Sequence, residues 1–117
     1  AYLDRHIVNV KVEDVRNRLL ENIRLPYNRR WLREWTHRQE DIIARHFKKE
    51  YGVSPHDFFL RQKGALAQQL LHSTDMTVTE ISEYLSFSSV HYFSRFIKNA
   101  YGMSPAQLRS KSRRMLI

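Results

Sequence analysis

The side chains best placed to do chemistry in this 117-residue chain are cations at helical spacing. Arg45, Lys48 and Lys49 recur as one helix face would present them, and so do His91, Ser94, Arg95 and Lys98. Groups of this kind donate hydrogen bonds to phosphate oxygens and to the acceptor edges of bases. Arg95 carries the strongest form of that chemistry, either a bidentate grip on guanine or a clamp on phosphate. Lys48, Lys49, Lys98, Arg109 and Lys111, together with the Ser89 hydroxyl, are candidates for phosphate contact rather than base reading. The alternative for Lys48, Lys98, Arg109 and Lys111 is a solvated surface charge, and for Arg95 a surface arginine paired with a neighbouring acid. For Arg45 that alternative has a named partner, Asp41, one helical turn earlier.

Other chemistry is poorly served. The absence of cysteine excludes a disulfide framework, a Cys-ligated zinc site, a thiol nucleophile and iron–sulfur chemistry. The histidines, His6, His37, His46, His56, His72 and His91, form no i,i+4 pair backed by an acid, so no metal centre is expected. There is no nucleophile–base pair, no pair of carboxylates at a defined spacing and no glycine loop to cradle phosphate. Neither catalysis nor a cofactor is therefore expected. No apolar run approaches the ~18 residues of a membrane span, and the basic start lacks the apolar stretch of a signal peptide. These features predict a small, soluble, intracellular domain with no membrane partner.

The charge itself is unevenly placed. The net charge is +8, from 20 Lys+Arg and 12 Asp+Glu. From Tyr84 onward there is no acid, while Arg95, Lys98, Arg109, Lys111, Arg113 and Arg114 supply six of those eight charges. A one-sided excess suits a surface that faces a polyanion, although a basic tail kept for solubility has the same signature.

The elements that must position these groups read as helices. Three Gly and three Pro punctuate the chain, and β-branched alternation is scarce. Val12, Val15, Leu19 and Ile23 predict a first helix that stops near Arg24, ahead of Pro26. Trp31, Leu32 and Trp35 mark a short second helix. Ile42, Ile43 and Phe47 mark a third, ended by Gly52 in the left-handed position. Ser54-Pro55 opens a long fourth helix to His72, with Phe58, Phe59, Leu66, Leu70 and Leu71 inward and Gly64 costing ~1 kcal/mol relative to Ala. Thr77-Val78-Thr79-Glu80 is a capping box for a fifth. Ser88 or Ser89 caps a sixth, with Tyr92, Phe93 and Ile97 inward, and Ser104-Pro105 starts a seventh. The expectation is an all-α fold of about seven helices, divided as 1–54, 55–72 and 73–117.

A repeat gives this map its meaning. At an offset of 50 residues, Arg45–Pro55 lies over Arg95–Pro105 with six of eleven positions identical. Helices two and three thus correspond to helices five and six, each pair leaving through the same Gly-x-Ser-Pro exit. A short helix, a tight turn and a second helix make a helix-turn-helix. A generic bundle with duplicated hairpins is the alternative. The outward cations favour double-stranded DNA, and a spacer of about 18 residues, ~27 Å long, would let two recognition helices enter groove segments ~34 Å apart.

The residues carry a family resemblance. Leu70–Ser82, then Ser86–Arg95, then Tyr101–Pro105 resemble the DNA-binding domain of the AraC/XylS family of bacterial transcription regulators. Lys63, Ala67, Leu70 and Leu71 resemble its linker helix, and Phe47–Pro55 the end of its first motif. The resemblance covers roughly residues 29–112. It implies a cytoplasmic protein, nucleoid-associated when bound, most often an activator that touches RNA polymerase. It also implies that Ala44 and Arg45, with Val90, His91, Ser94 and Arg95, face the groove. Family members often carry a further amino-terminal domain, so a chain opening at Ala1 with about 28 residues before the first motif is expected to be a fragment of a longer regulator.

Departures from the pattern are specific. Ser86 stands where the family usually has Gly, which predicts either a small backbone strain or a different turn geometry, and Gly64 replaces a usual Leu. Trp31, Trp35 and Thr36-His37 do not follow the usual pattern of the first motif. Glu40 and Asp41 open its recognition helix; Asp41 either accepts from cytosine N4 or stabilises the helix N-terminus. The expectation is that the second motif anchors the protein and the first reads weakly. If Trp31 and Trp35 are both exposed, a different function becomes attractive, in which the first motif binds a co-regulator protein.

Overall fold

The computed structural model describes the backbone of residues 2–115 and the side chains of residues 11–111. It contains seven helices and, among the described residues, no strand: α1 (Tyr2–Glu21), α2 (Arg30–Thr36), α3 (Glu40–Tyr51), α4 (Pro55–Ser73), α5 (Val78–Tyr84), α6 (Val90–Tyr101) and α7 (Pro105–Met115). They form two compact units. One comprises residues through 23 with 27–61, the other residues 24–26 with 62 onward.

Each unit packs its helices around its own core. In the first, Val12, Val15 and Leu19 of α1 meet Leu32 of α2, Ile43 and Phe47 of α3, and Phe59 from the start of α4. In the second, Ala67 and Leu71 of α4 meet Ile81 of α5, Leu85 just beyond it, Phe93 and Ile97 of α6, and Leu108 of α7. Helices α3 and α6 begin and end 50 residues apart, and the burial pattern repeats with them: Ile43 and Phe93, Phe47 and Ile97, and Pro55 and Pro105 are all buried. The exits are equivalent too. Gly52 and Gly102 take φ of 80° and 77°, and each amide donates to the carbonyl of Lys48 or Lys98 at 2.8 Å.

Local chemistry sets the helix starts. Thr77 and Glu80 form the reciprocal capping box, and the Ser89 hydroxyl accepts from the Tyr92 amide at 3.0 Å. Ser54 and Ser104 cap in the same way, accepting from the amides of Asp57 at 3.1 Å and Gln107 at 3.2 Å. The expected end of α1 near Arg24 is corrected to Glu21. There the Asn22 amide side chain donates to the Arg18 carbonyl at 2.8 Å and competes with continuation of the helix. The helix also starts well ahead of Val12, at Tyr2.

Two expected core residues face outward instead. Ile42 is 36% exposed and Tyr92 40% exposed. Successive residues on a helix point about 100° apart, so one member of each apolar pair must turn away when Ile43 and Phe93 fill the core. Gly64 has a positive reason to be glycine. It is buried, and a Cβ there would lie 3.0 Å from Tyr101 Oη and 3.4 Å from Phe96 Cε1. Gly64→Leu is therefore expected to destabilise the fold by about 1–3 kcal/mol through overpacking. Gly64→Ala, where ~1 kcal/mol of helix propensity offsets the squeeze, should unfold in urea close to the parent.

Candidate nucleic-acid interface

Helices α3 and α6 present matching outward faces. Arg45 and Arg95 occupy equivalent positions, both exposed, as do Lys48 and Lys98. Ile42 and Tyr92 are equivalent as well, each three residues before its arginine and so on the same side of its helix. Each second helix thus offers an apolar side chain, a guanidinium and an ammonium in sequence. Asp41, His91, Ser89, Lys49 and Lys111 are also exposed, whereas Ala44, Val90 and Ser94 are half-buried at the margins of these faces. The structure brings the predicted base-contact residues together within each motif.

The two helix starts differ in charge. In α3 the first turn holds Glu40 and Asp41, and Arg29 bridges both, with Nε 3.2 Å from Glu40 and a direct contact to Asp41. Asp41 is therefore held by Arg29 rather than by Arg45, which makes no ion pair with any described residue. No acid stands in the first turn of α6, where Ser89 caps the helix. The cap uses one acceptor lone pair and leaves the hydroxyl proton free to donate.

Arg109 departs from its expected role. Its guanidinium donates to the carbonyls of Leu71 at 2.9 Å, Met76 at 2.5 Å and Thr74 at 3.4 Å. It ties α7 to the end of α4 and the following turn, because the last carbonyls of a helix need donors. That correction removes it from the exposed phosphate candidates. Arg113 and Arg114 of the basic tail, and His6, lie outside the described side chains. Among the described residues no three His, Asp or Glu lie together as a metal ion would require. No helix there is long and apolar enough to cross a membrane.

Trp31 and Trp35 are stacked on each other at 5.1 Å between ring centroids, and Trp31 packs edge-on against Phe59 at 5.8 Å. Both are half-buried. The fully exposed pair that a protein-binding patch would need is not formed.

The architecture has known counterparts. Residues 36–111 match the family model described as "Helix-turn-helix domain", about two thirds of the chain. The chain belongs to the AraC-type helix-turn-helix family. This AraC-type domain is 31% identical over 105 residues to the uncharacterized HTH-type transcriptional regulator YfiF of Bacillus subtilis, a match covering 90% of this chain and 33% of that protein. It is 30% identical over 101 residues to the HTH-type transcriptional regulator ExsA of Pseudomonas aeruginosa, covering 80% of this chain and 36% of that one. The chain thus spans about a third of the length of these curated relatives. Among solved structures, it is similar to the C-terminal domain of AraT, a response regulator from Geobacillus stearothermophilus. There the TM-score is 0.82 at 26% identity, over 86% of this chain and 84% of that one. The DNA-binding domain of the global transcriptional factor AdpA, in complex with a target DNA, shares the fold at a TM-score of 0.83 and 23% identity, over 89% and 94% of the two chains.

Within this AraC-type domain, four residues of interest escape a reading by residue type. Ile42 and Tyr92 look like core. Lys11 and Lys63 look like surface, although Lys63 is only 3% exposed and donates to the Leu85 carbonyl. The available signal for Lys63 is its place on the buried stripe Phe59, Lys63, Ala67, Leu71, each one turn from the next.

Proposed function

We propose that this domain gives a bacterial transcription regulator sequence-specific grip on double-stranded DNA, with α3 and α6 as recognition helices in successive major-groove segments. The observation that supports this is the duplicated outward face, Ile42–Arg45–Lys48 and Tyr92–Arg95–Lys98. Arg45 and Arg95 read guanine, the cleanest match for a guanidinium in the major groove. Ile42 and Tyr92 lie against thymine methyl groups, the one apolar feature of that groove. Lys48, Lys49, Lys98, Lys111 and the Ser89 hydroxyl hold phosphates, while Ala44, Val90, His91 and Ser94 shape the fit to neighbouring bases. Asp41, bridged to Arg29, steadies the start of α3. The regulator acts in the bacterial cytoplasm, on the nucleoid, as an activator touching RNA polymerase, without catalytic chemistry.

Electrophoretic mobility shifts on sites selected from random duplexes test the reading. Several released counterions should make log affinity fall linearly and steeply with log salt. A flat salt response, or no preference over competitor DNA, would sink it. The thymine contacts have their own probe. Deoxyuridine at a contacted thymine should weaken binding by about 0.8 kcal/mol, the worth of one buried carbon, and Ile42→Ala or Tyr92→Ala should abolish that difference.

A further inference from the structure

Both helix-turn-helix turns contain a non-glycine residue in the left-handed region: His37 and Ser86, each with φ of 57°. They are the only such residues among those described. In each case the carbonyl immediately before the strained residue accepts a hydrogen bond from a lysine on the preceding core helix. Lys11 Nζ donates to the Thr36 carbonyl at 2.8 Å. Lys63 Nζ donates to the Leu85 carbonyl from a side chain that is almost wholly buried. The same pairing of a lysine with the same turn position, once in each unit, is a duplicated device.

The geometry explains what it does. A peptide group is a rigid plane, so the carbonyl of Leu85 and the amide of Ser86 move together. A bulky residue leaves positive φ most easily by rotating that plane, which would change ψ of Leu85 and φ of Ser86 at once. Rotation would carry the carbonyl oxygen off the Lys63 ammonium. It would also strip the Ser86 amide from the Glu83 carbonyl, which it now meets at 3.0 Å. In the first motif the His37 amide is held by the Arg33 carbonyl at 2.8 Å. The ammonium and the helix end grip opposite edges of one plane.

We infer that Lys11 and Lys63 are positioning residues for DNA recognition: each locks the turn that aims a recognition helix, and makes a left-handed non-glycine residue tolerable there. The inference rests on α3 and α6 being the recognition helices.

A double-mutant cycle between Lys63→Met and Ser86→Gly tests it, read in two ways. The first readout needs no DNA: hydrogen exchange of the Ser86 and Phe87 amides, with the Leu71 amide as a core reference. Lys63→Met should speed exchange in the turn by about tenfold or more relative to Leu71, and Ser86→Gly should remove most of that increase. The second readout is affinity for a selected duplex. Lys63→Met should weaken it about tenfold in the parent background and by less than about threefold in the Ser86→Gly background. Lys63→Arg, which keeps a donor, should restore binding. If Lys63→Met does not fold, Lys11→Met with His37→Gly runs the same cycle on a half-buried lysine. Equal losses in the serine and glycine backgrounds, or unchanged exchange in the turn, would overturn the inference. Coupled exchange with no DNA binding by the parent protein would instead overturn the recognition-helix reading on which the inference rests.

Discussion

Arg95→Ala is expected to weaken binding to a selected duplex by about 1–3 kcal/mol and to relax discrimination at a single base pair. The size follows from the surroundings of the side chain. Arg95 is exposed on α6, makes no ion pair with any described residue, and extends from a helix whose first turn carries no acid. Among the described residues none pairs with its guanidinium, so a bidentate bond to guanine would be gained with little to break. Arg45→Ala should act in the same direction but less strongly. Its helix starts with Glu40 and Asp41, of whose two negative charges Arg29 offsets only one, and the negative DNA backbone repels the charge that remains. Lys98→Ala gives the contrasting pattern: a uniform loss over all sequences and a salt slope shallower by about one. Site selection repeated with each variant checks all three. A uniform loss for Arg95→Ala would assign that residue to phosphate.

The comparison of these residues also shows what residue type can and cannot reveal. Helix number, the capping box at Thr77, the left-handed glycines and the 50-residue repeat are local, and each was legible because its cause lies within a few neighbouring positions. The exposure of Arg95 and Arg45 was legible because a charged side chain opposite an apolar stripe has only solvent or a partner to face. The failures share a different cause. Ile43 and Ile42, or Phe93 and Tyr92, differ in direction by one residue, and only the packed core decides which enters it. Arg109 carries the right charge for phosphate, but the open carbonyls of Leu71, Thr74 and Met76 lie within its reach. Charge type predicts what a group could bind, and tertiary contact decides whether it is already bound.

Lys63 also makes the stability of the second unit rise with pH over a defined window. Burial pushes its amine down from the ordinary 10.5 to about 8. Below pH 8 the lysine is charged in both the folded and unfolded chains, and the folded state bears the full cost of burying that charge. Between pH 8 and the unfolded value the unfolded chain binds more protons, so stability increases as pH rises. The neutral amine still donates to the Leu85 carbonyl, so the clamp on the turn survives deprotonation. Raising the pH from about 7.5 to about 9.5 should therefore stabilise the parent by roughly 2 kcal/mol relative to Lys63→Met. Above about pH 10 the tyrosines lower the stability of the parent and of Lys63→Met alike. Burial holds the Tyr27 phenol up at about 12 and raises Tyr51 and Tyr101 in the same direction, so the unfolded chain loses those protons first. Urea unfolding of the two proteins across this range gives the difference directly, with Lys63→Met serving as the control for every other titrating group. A constant difference between them would mean that Lys63 keeps its ordinary affinity for a proton in spite of its burial.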